Sequence, residues 1–166
     1  RYTYDDEGRM VSMTDARGNT WRYTYNKNGQ LLSTTDPTGG IRSNSYNSVG
    51  RTVSGTDANG NTTTYAYDGV GNLTKITDAL GKSTVSEYDA NGNLTATTDR
   101  NGHTTRYAYD AENRLIRMED AEGSTTSYTY DANGQMTKTT SAMGAETSST
   151  YDALGRQISS ADALGH

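Results

Sequence analysis

Apolar residues are sparse in this chain and fall at fixed intervals. The recurring pattern is Tyr-x-Tyr, as in Tyr107-Ala108-Tyr109. Side chains alternate between faces along a strand, so both rings lie on one side of an extended segment. Thr105 shares that side, while Thr104, Arg106 and Ala108 take the other. A polar turn follows, and then a second apolar position, filled by Met10, Leu31, Leu73, Leu94, Leu115 and Met136. The second tyrosine recurs at Tyr4, Tyr25, Tyr46, Tyr67, Tyr88, Tyr109, Tyr130 and Tyr151, always at a spacing of 21 residues. A fixed period of this length marks a repeat architecture.

Two turn signals punctuate each repeat. The first runs from an Asp or Asn to Gly8, Gly29, Gly50, Gly71, Gly92, Gly134 or Gly155, with Asn113 standing in for glycine in one copy. The second has the same form, as in Asp15 to Gly18, Asp57 to Gly60 and Asp99 to Gly102. Asp at the first turn position bonds its own backbone two residues on, and Gly at the fourth takes a positive φ without a steric cost. Asn tolerates the same conformation, so Asn113 is expected at positive φ. The segments between turns are about six residues long, too short for a helix and rich in Thr and Tyr. The expected fold is all-β: tandem antiparallel hairpins, roughly 16 strands in all, in a strip that twist makes curve or spiral. Residues 1–166 read as one array of about eight repeats, cut at both ends from something longer.

Composition changes this picture little. Leu, Ile and Val together number 17, Phe is absent, and the net charge is -5. So little aliphatic content would suggest disorder, but the 13 tyrosines are regularly spaced, and tyrosine supplies buried ring area while its hydroxyl stays wet. Stability is expected from rings stacking along the array. Cysteine is absent, which excludes disulfides and thiolate metal sites. No run of apolar residues is long enough for a membrane-spanning helix. The scattered Lys and Arg within an acidic chain argue against nucleic acid.

The motif Tyr-Asp-x-x-Gly-Arg-Leu followed by Thr-Asp-x-x-Gly-x-Thr resembles the Rhs or YD-repeat family. Tyr67-Asp68-Gly69-Val70-Gly71-Asn72-Leu73, Tyr88-Asp89-Ala90-Asn91-Gly92-Asn93-Leu94 and Tyr151-Asp152-Ala153-Leu154-Gly155-Arg156 carry it. The family includes bacterial Rhs proteins, wall-associated proteins, toxin-complex components and teneurins. The resemblance implies a β-strip that spirals into a hollow shell, which in toxin members encloses a C-terminal toxic domain. The first tyrosine is replaced at Asn44, Ser86 and Ser149, and the second-turn Asp at Ser141, substitutions that read as drift in a scaffold.

Several motifs invite a chemical reading. Asp36-Pro37-Thr38-Gly39 is similar to the Asp-Pro-x-Gly-Leu end of the Rhs core, where some members self-cleave. Gly40 stands where Leu is expected, and Pro suits the second position of an ordinary turn. Asp57-Ala58-Asn59-Gly60-Asn61-Thr62 offers too few oxygens for calcium. Arg9, Arg51, Arg114 and Arg156 recur after the first turn, but Gln30, Asn72, Asn93 and Gln135 interrupt the row, so pairing with the turn Asp is expected. His103 and His166 read as solvated turn residues, and Trp21 as a packing substitution in preference to a sugar platform.

The sequence therefore predicts a structural scaffold with no catalytic residue, cofactor or metal. It would form part of a secreted or surface bacterial shell that encloses or displays a toxin or other domain. Its expected partners are other repeats or domains of the same protein, a C-terminal toxin domain among them. The alternative is an adhesive array that binds carbohydrate or protein, or associates with itself.

Overall fold

A computed structural model describes all residues, Arg1–His166. Every regular element is a β-strand. The chain groups into two compact halves, Arg1–Ser83 and Thr84–His166. The first carries β1 (Tyr2–Tyr4), β2 (Met10–Thr14), β3 (Thr20–Tyr25), β4 (Leu31–Thr35), β5 (Ile41–Tyr46), β6 (Thr52–Thr56), β7 (Thr62–Tyr67) and β8 (Leu73–Thr77). The second carries β9 (Ser83–Tyr88), β10 (Leu94–Thr98), β11 (Thr104–Tyr109), β12 (Leu115–Glu119), β13 (Thr125–Tyr130), β14 (Met136–Thr140), β15 (Glu146–Tyr151) and β16 (Gln157–Ala161). Within each half, sequence neighbours pair antiparallel, so the strand order is the chain order.

Both connections in a repeat close the same way. At Asp57 the backbone N–H donates to Asn61 O at 2.9 Å, and Gly60 N–H donates to Asp57 O at 3.0 Å. The residue before the close needs a left-handed backbone, and it is glycine in every turn but one. The exception is Asn113, with φ 61°, and no other non-glycine residue in the chain has a positive φ. Its first-turn counterparts fall between 78° at Gly8 and 108° at Gly71.

Each tyrosine-bearing hairpin also contains a bulge that the residue pattern does not announce. In the second repeat Thr24 pairs with Ser33 but Tyr25 pairs with Leu31, so Leu32 has no partner. The same shift occurs beside Tyr46, Tyr67, Tyr109, Tyr130 and Tyr151. An extra residue bends the strand and interrupts the ladder, leaving a backbone group to be satisfied elsewhere.

The two faces differ in chemistry. Direct partners share a face, so Tyr23, Thr34 and Arg42 lie together, as do Tyr65 and Ile76, and Tyr107 and Met118. The opposite face is lined with hydroxyls that bond in pairs, such as Thr3 with Ser12 and Thr24 with Ser33 at 2.6 Å, and Thr98 with Thr104 at 2.8 Å. Neither face is covered. Ala96, at 7 % exposure, is the only buried residue. The accessible area is 10939 Å², against about 8,000 Å² for a close-packed monomer of this mass. Cohesion within each half therefore comes from strand-to-strand contacts and not from an interior.

Candidate functional site

The structure gathers the repeated side chains into a clasp between consecutive repeats. The second tyrosine of one repeat donates its hydroxyl to the first carbonyl of the previous repeat's second strand, the one beside the bulge. Tyr25 reaches Met10 O at 3.0 Å, Tyr46 reaches Leu31 O at 2.8 Å and Tyr67 reaches Thr52 O at 2.9 Å. In the second half Tyr109 reaches Leu94 O at 2.9 Å, while Tyr130 and Tyr151 reach Leu115 O and Met136 O at 2.8 Å. A carbonyl at each of these bulges is thus paired by the following repeat. Desolvation pushes the Tyr109 hydroxyl above its ordinary pKa, so it stays a donor.

A second group reaches the opposite way. Arg9 pairs with Asp5 through Nε at 2.7 Å, and its Nη1 donates forward to Asn26 O at 3.0 Å. Arg114 does the same with Asp110 at 2.6 Å and Asp131 O at 3.2 Å. Gln30 replaces the guanidinium and donates to Gly50 O at 2.8 Å. The expected pairing of arginine with the turn Asp is present at Asp5, Asp110 and Asp152. The reach into the next repeat was not expected.

The arginines also alter the expected ring stacking. Equivalent tyrosines stand two strands apart, roughly 10 Å, which exceeds the 4.5–7 Å at which rings interact. Guanidiniums fill the gap: Arg9 lies 5.3 Å from the Tyr25 ring centre, Arg51 5.7 Å from Tyr67 and Arg114 4.9 Å from Tyr130. Gly71 gives the turn its positive φ and also leaves room for Arg51, whose guanidinium a Cβ there would strike.

The turn carboxylates are engaged by their own loops. Asp57 Oδ1 accepts the N–H groups of Asn59 and Asn61 at 2.9 Å, and Oδ2 accepts Asn61 Nδ2 at 2.9 Å. The Asn61 amide first, and then its N–H, hold the Asp57 carboxyl below the usual carboxylate range, and Asn93 does the same for Asp89. His103 and His166 are solvated turn residues as expected, with side chains 64 % and 76 % exposed, and their Nδ1 atoms lie 3.3 and 3.1 Å from Asp99 and Asp162 Oδ2, in the place Asn61 takes. Asp36 forms an ordinary second turn, with Oδ1 accepting from Thr38 N at 2.8 Å, Thr38 Oγ1 at 2.6 Å and Gly40 N at 2.9 Å.

One acceptor is left over. Gln135 Oε1 is buried without a partner. At the equivalent site Gln30 Oε1 receives Asn26 Nδ2 at 2.8 Å. Asp131 stands where Asn26 does and has no proton to give, which explains the orphan.

Comparison with known proteins fits this geometry. The family model described as RHS Repeat matches residues 1–41, 46–83, 88–125, 109–146 and 130–166. Among solved structures, the chain is similar to the crystal structure of TcdB2-TccC3-Cdc42, at 22 % identity and TM-score 0.70, covering 92 % of this chain. It is also similar to the Photorhabdus luminescens Tc holotoxin pore, at 22 % identity and TM-score 0.71, covering 95 % of this chain. The chain spans 10 % of the length of each. No curated protein matches it. There is no helix long and apolar enough to cross a membrane.

Proposed function

The chain belongs to the Rhs-repeat family, and on that premise we propose that it is a stretch of wall in a larger secreted or surface bacterial protein, one that encloses a toxin or other functional domain. The observation that carries this reading is the uncovered sheet, with one buried residue in 166. A sheet of this kind presents two chemically distinct surfaces, a tyrosine-bearing face and a hydroxyl face, and a wall needs two sides of different character. The clasp supports it too, since contacts confined to neighbouring repeats let an array extend without a new core. The likeness to Tc toxin structures supports the kind of assembly. The role is mechanical, and no reaction is assigned to these residues.

The test is limited proteolysis of the full-length protein that carries the array. With the wall intact, the enclosed domain is expected to resist trypsin. Gly71→Val should open the wall, because Val cannot take φ 108° and its Cβ meets Arg51, and the domain should then be cut. Equal cleavage in the two proteins would overturn the reading.

A further inference from the structure

A repeat protein contains its own controls: each position has equivalents with the same backbone and neighbours. Trp21 and Arg42 occupy the same repeat position, which Thr63, Thr84, Thr105, Thr126 and Thr147 fill elsewhere. Gly40 is a third departure, since its equivalents are Asn19, Asn61, Lys82, His103, Ser124, Ala145 and His166. Independent drift would scatter such changes, yet these three line one cleft with Thr34 and Asp36.

The register explains the convergence. Arg22 pairs with Thr35 and Thr35 with Ile41, so Trp21, Asp36 and Gly40 form one row across β3, β4 and β5. Tyr23, Thr34 and Arg42 form the next row on the same face. Gly40 leaves the end of the first row hollow. Elsewhere the residue at this place caps the outer carboxylate oxygen, as Asn19 does for Asp15 at 2.8 Å and Asn61 for Asp57 at 2.9 Å. Here Asp36 Oδ2 lies over Gly40, 2.5 Å from where a Cβ would stand. The Thr38 hydroxyl first, then the Gly40 N–H, keep this carboxyl below its usual range, and the charge of Arg42 adds to the effect.

We propose that the cleft of Trp21, Asp36, Gly40 and Arg42 is a binding site for a neutral saccharide. An indole face suits the C–H surface of a pyranose ring. The Asp36 carboxylate and the Arg42 guanidinium in the same lining offer an acceptor and donors for adjacent ring hydroxyls, and Thr34 adds a hydroxyl. Opposite charges side by side favour a ligand with no net charge. The site is built by two consecutive repeats and does not depend on the wall reading.

Trp21 is the only tryptophan, so its fluorescence reports on the cleft directly. The chain is titrated with methyl glycosides of glucose, galactose and N-acetylglucosamine, alongside saturation-transfer NMR. At least one glycoside is expected to shift the emission and receive saturation. Gly40→Asn and Arg42→Thr install residues that other repeats carry at these positions, so both should fold. Each should weaken binding about tenfold or more, the loss that goes with a charge-assisted hydrogen bond. Trp21→Thr should abolish the NMR signal. The proposal is overturned if no glycoside binds, if Gly40→Asn binds as well as the parent chain, or if free glycine perturbs Trp21 as strongly as the sugars do.

Discussion

The unpaired Gln135 oxygen predicts that a single substitution will stabilise this chain. Asp131→Asn keeps Oδ1, which accepts Asn133 N and Gln135 N at 2.9 Å. Asn26 shows that an amide can fill this role, since its Oδ1 accepts Asn28 N at 2.9 Å and Gln30 N at 3.0 Å. The change adds an Nδ2 donor where Asn26 uses one to reach Gln30 Oε1 at 2.8 Å. Pairing a buried acceptor is worth about 1–2 kcal/mol. An amide accepts less strongly than a carboxylate, which gives back part of this gain. The cleanest measure is a double-mutant cycle with Gln135→Ala, in which the cost of the weaker acceptor appears on both sides and cancels. Urea unfolding of the four proteins at neutral pH is expected to give a favourable coupling of about 1 kcal/mol between the Asp131→Asn change and the native Gln135. A coupling indistinguishable from zero would refute the account of the orphaned oxygen, and so would a destabilised D131N whose loss is the same with and without the glutamine.

Asn113→Val should speed amide exchange in β11 and β12 by about thirtyfold or more, because a branched side chain at φ 61° costs roughly 1–2 kcal/mol and the bonds from Asn91 and Asn93 to Asn113 Oδ1 are worth about 1 kcal/mol more. Arg117→Val, at a strand position whose side chain is 54 % exposed, should change exchange little. Tyr109→Phe leaves Leu94 O without its hydroxyl and should cost about 1–2 kcal/mol in urea unfolding, whereas Tyr4→Phe, at 60 % exposure, should be near neutral. Turn carboxyls such as Asp57 and Asp89 titrate lower when folded, so their contribution is complete above the ordinary Asp value of about 4 and is lost as pH falls through the folded values. The urea midpoint should therefore be flat from neutral pH to about 5 and drop below about 4, with a smaller drop in Asp57→Asn. Arg114→Gln should lower the urea midpoint less than Arg114→Lys, because Gln30 shows an amide at this position reaching the next repeat's turn, at Gly50 O.

What the sequence disclosed was local. The alternation in Thr104–Tyr109 gave a strand, and the glycines at the fourth turn position gave the loops, because each conformation is decided by the residue that adopts it. Asn113 was legible for the same reason. The bulge at Leu31 and Leu32 was not, since nothing in two adjacent leucines says which will lose its partner; that depends on how β3 and β4 align. The clasp was hidden for a related reason. The acceptor of Tyr25 lies 15 residues back, and only the assembled sheet brings the two together. His103 was legible as a solvated turn residue, but its standing in for asparagine beside Asp99 was not, because that contact depends on how the loop folds. The rings of the Tyr-x-Tyr pattern were expected to stack along the array, but two strand spacings separate equivalent rings by roughly 10 Å, and over Tyr25, Tyr67 and Tyr130 an arginine stands instead.

The bulge carbonyl gives the array a direction. Leu31 O is completed by Tyr46, and Leu94 O by Tyr109, so the residue that finishes each repeat is always synthesised after it. A chain emerging from the ribosome exposes one open acceptor at its newest hairpin, and the next hairpin to emerge closes it. Assembly by this route is vectorial: every added repeat locks its predecessor and presents the same vacancy again, and order spreads from the N-terminus without waiting for a distant segment.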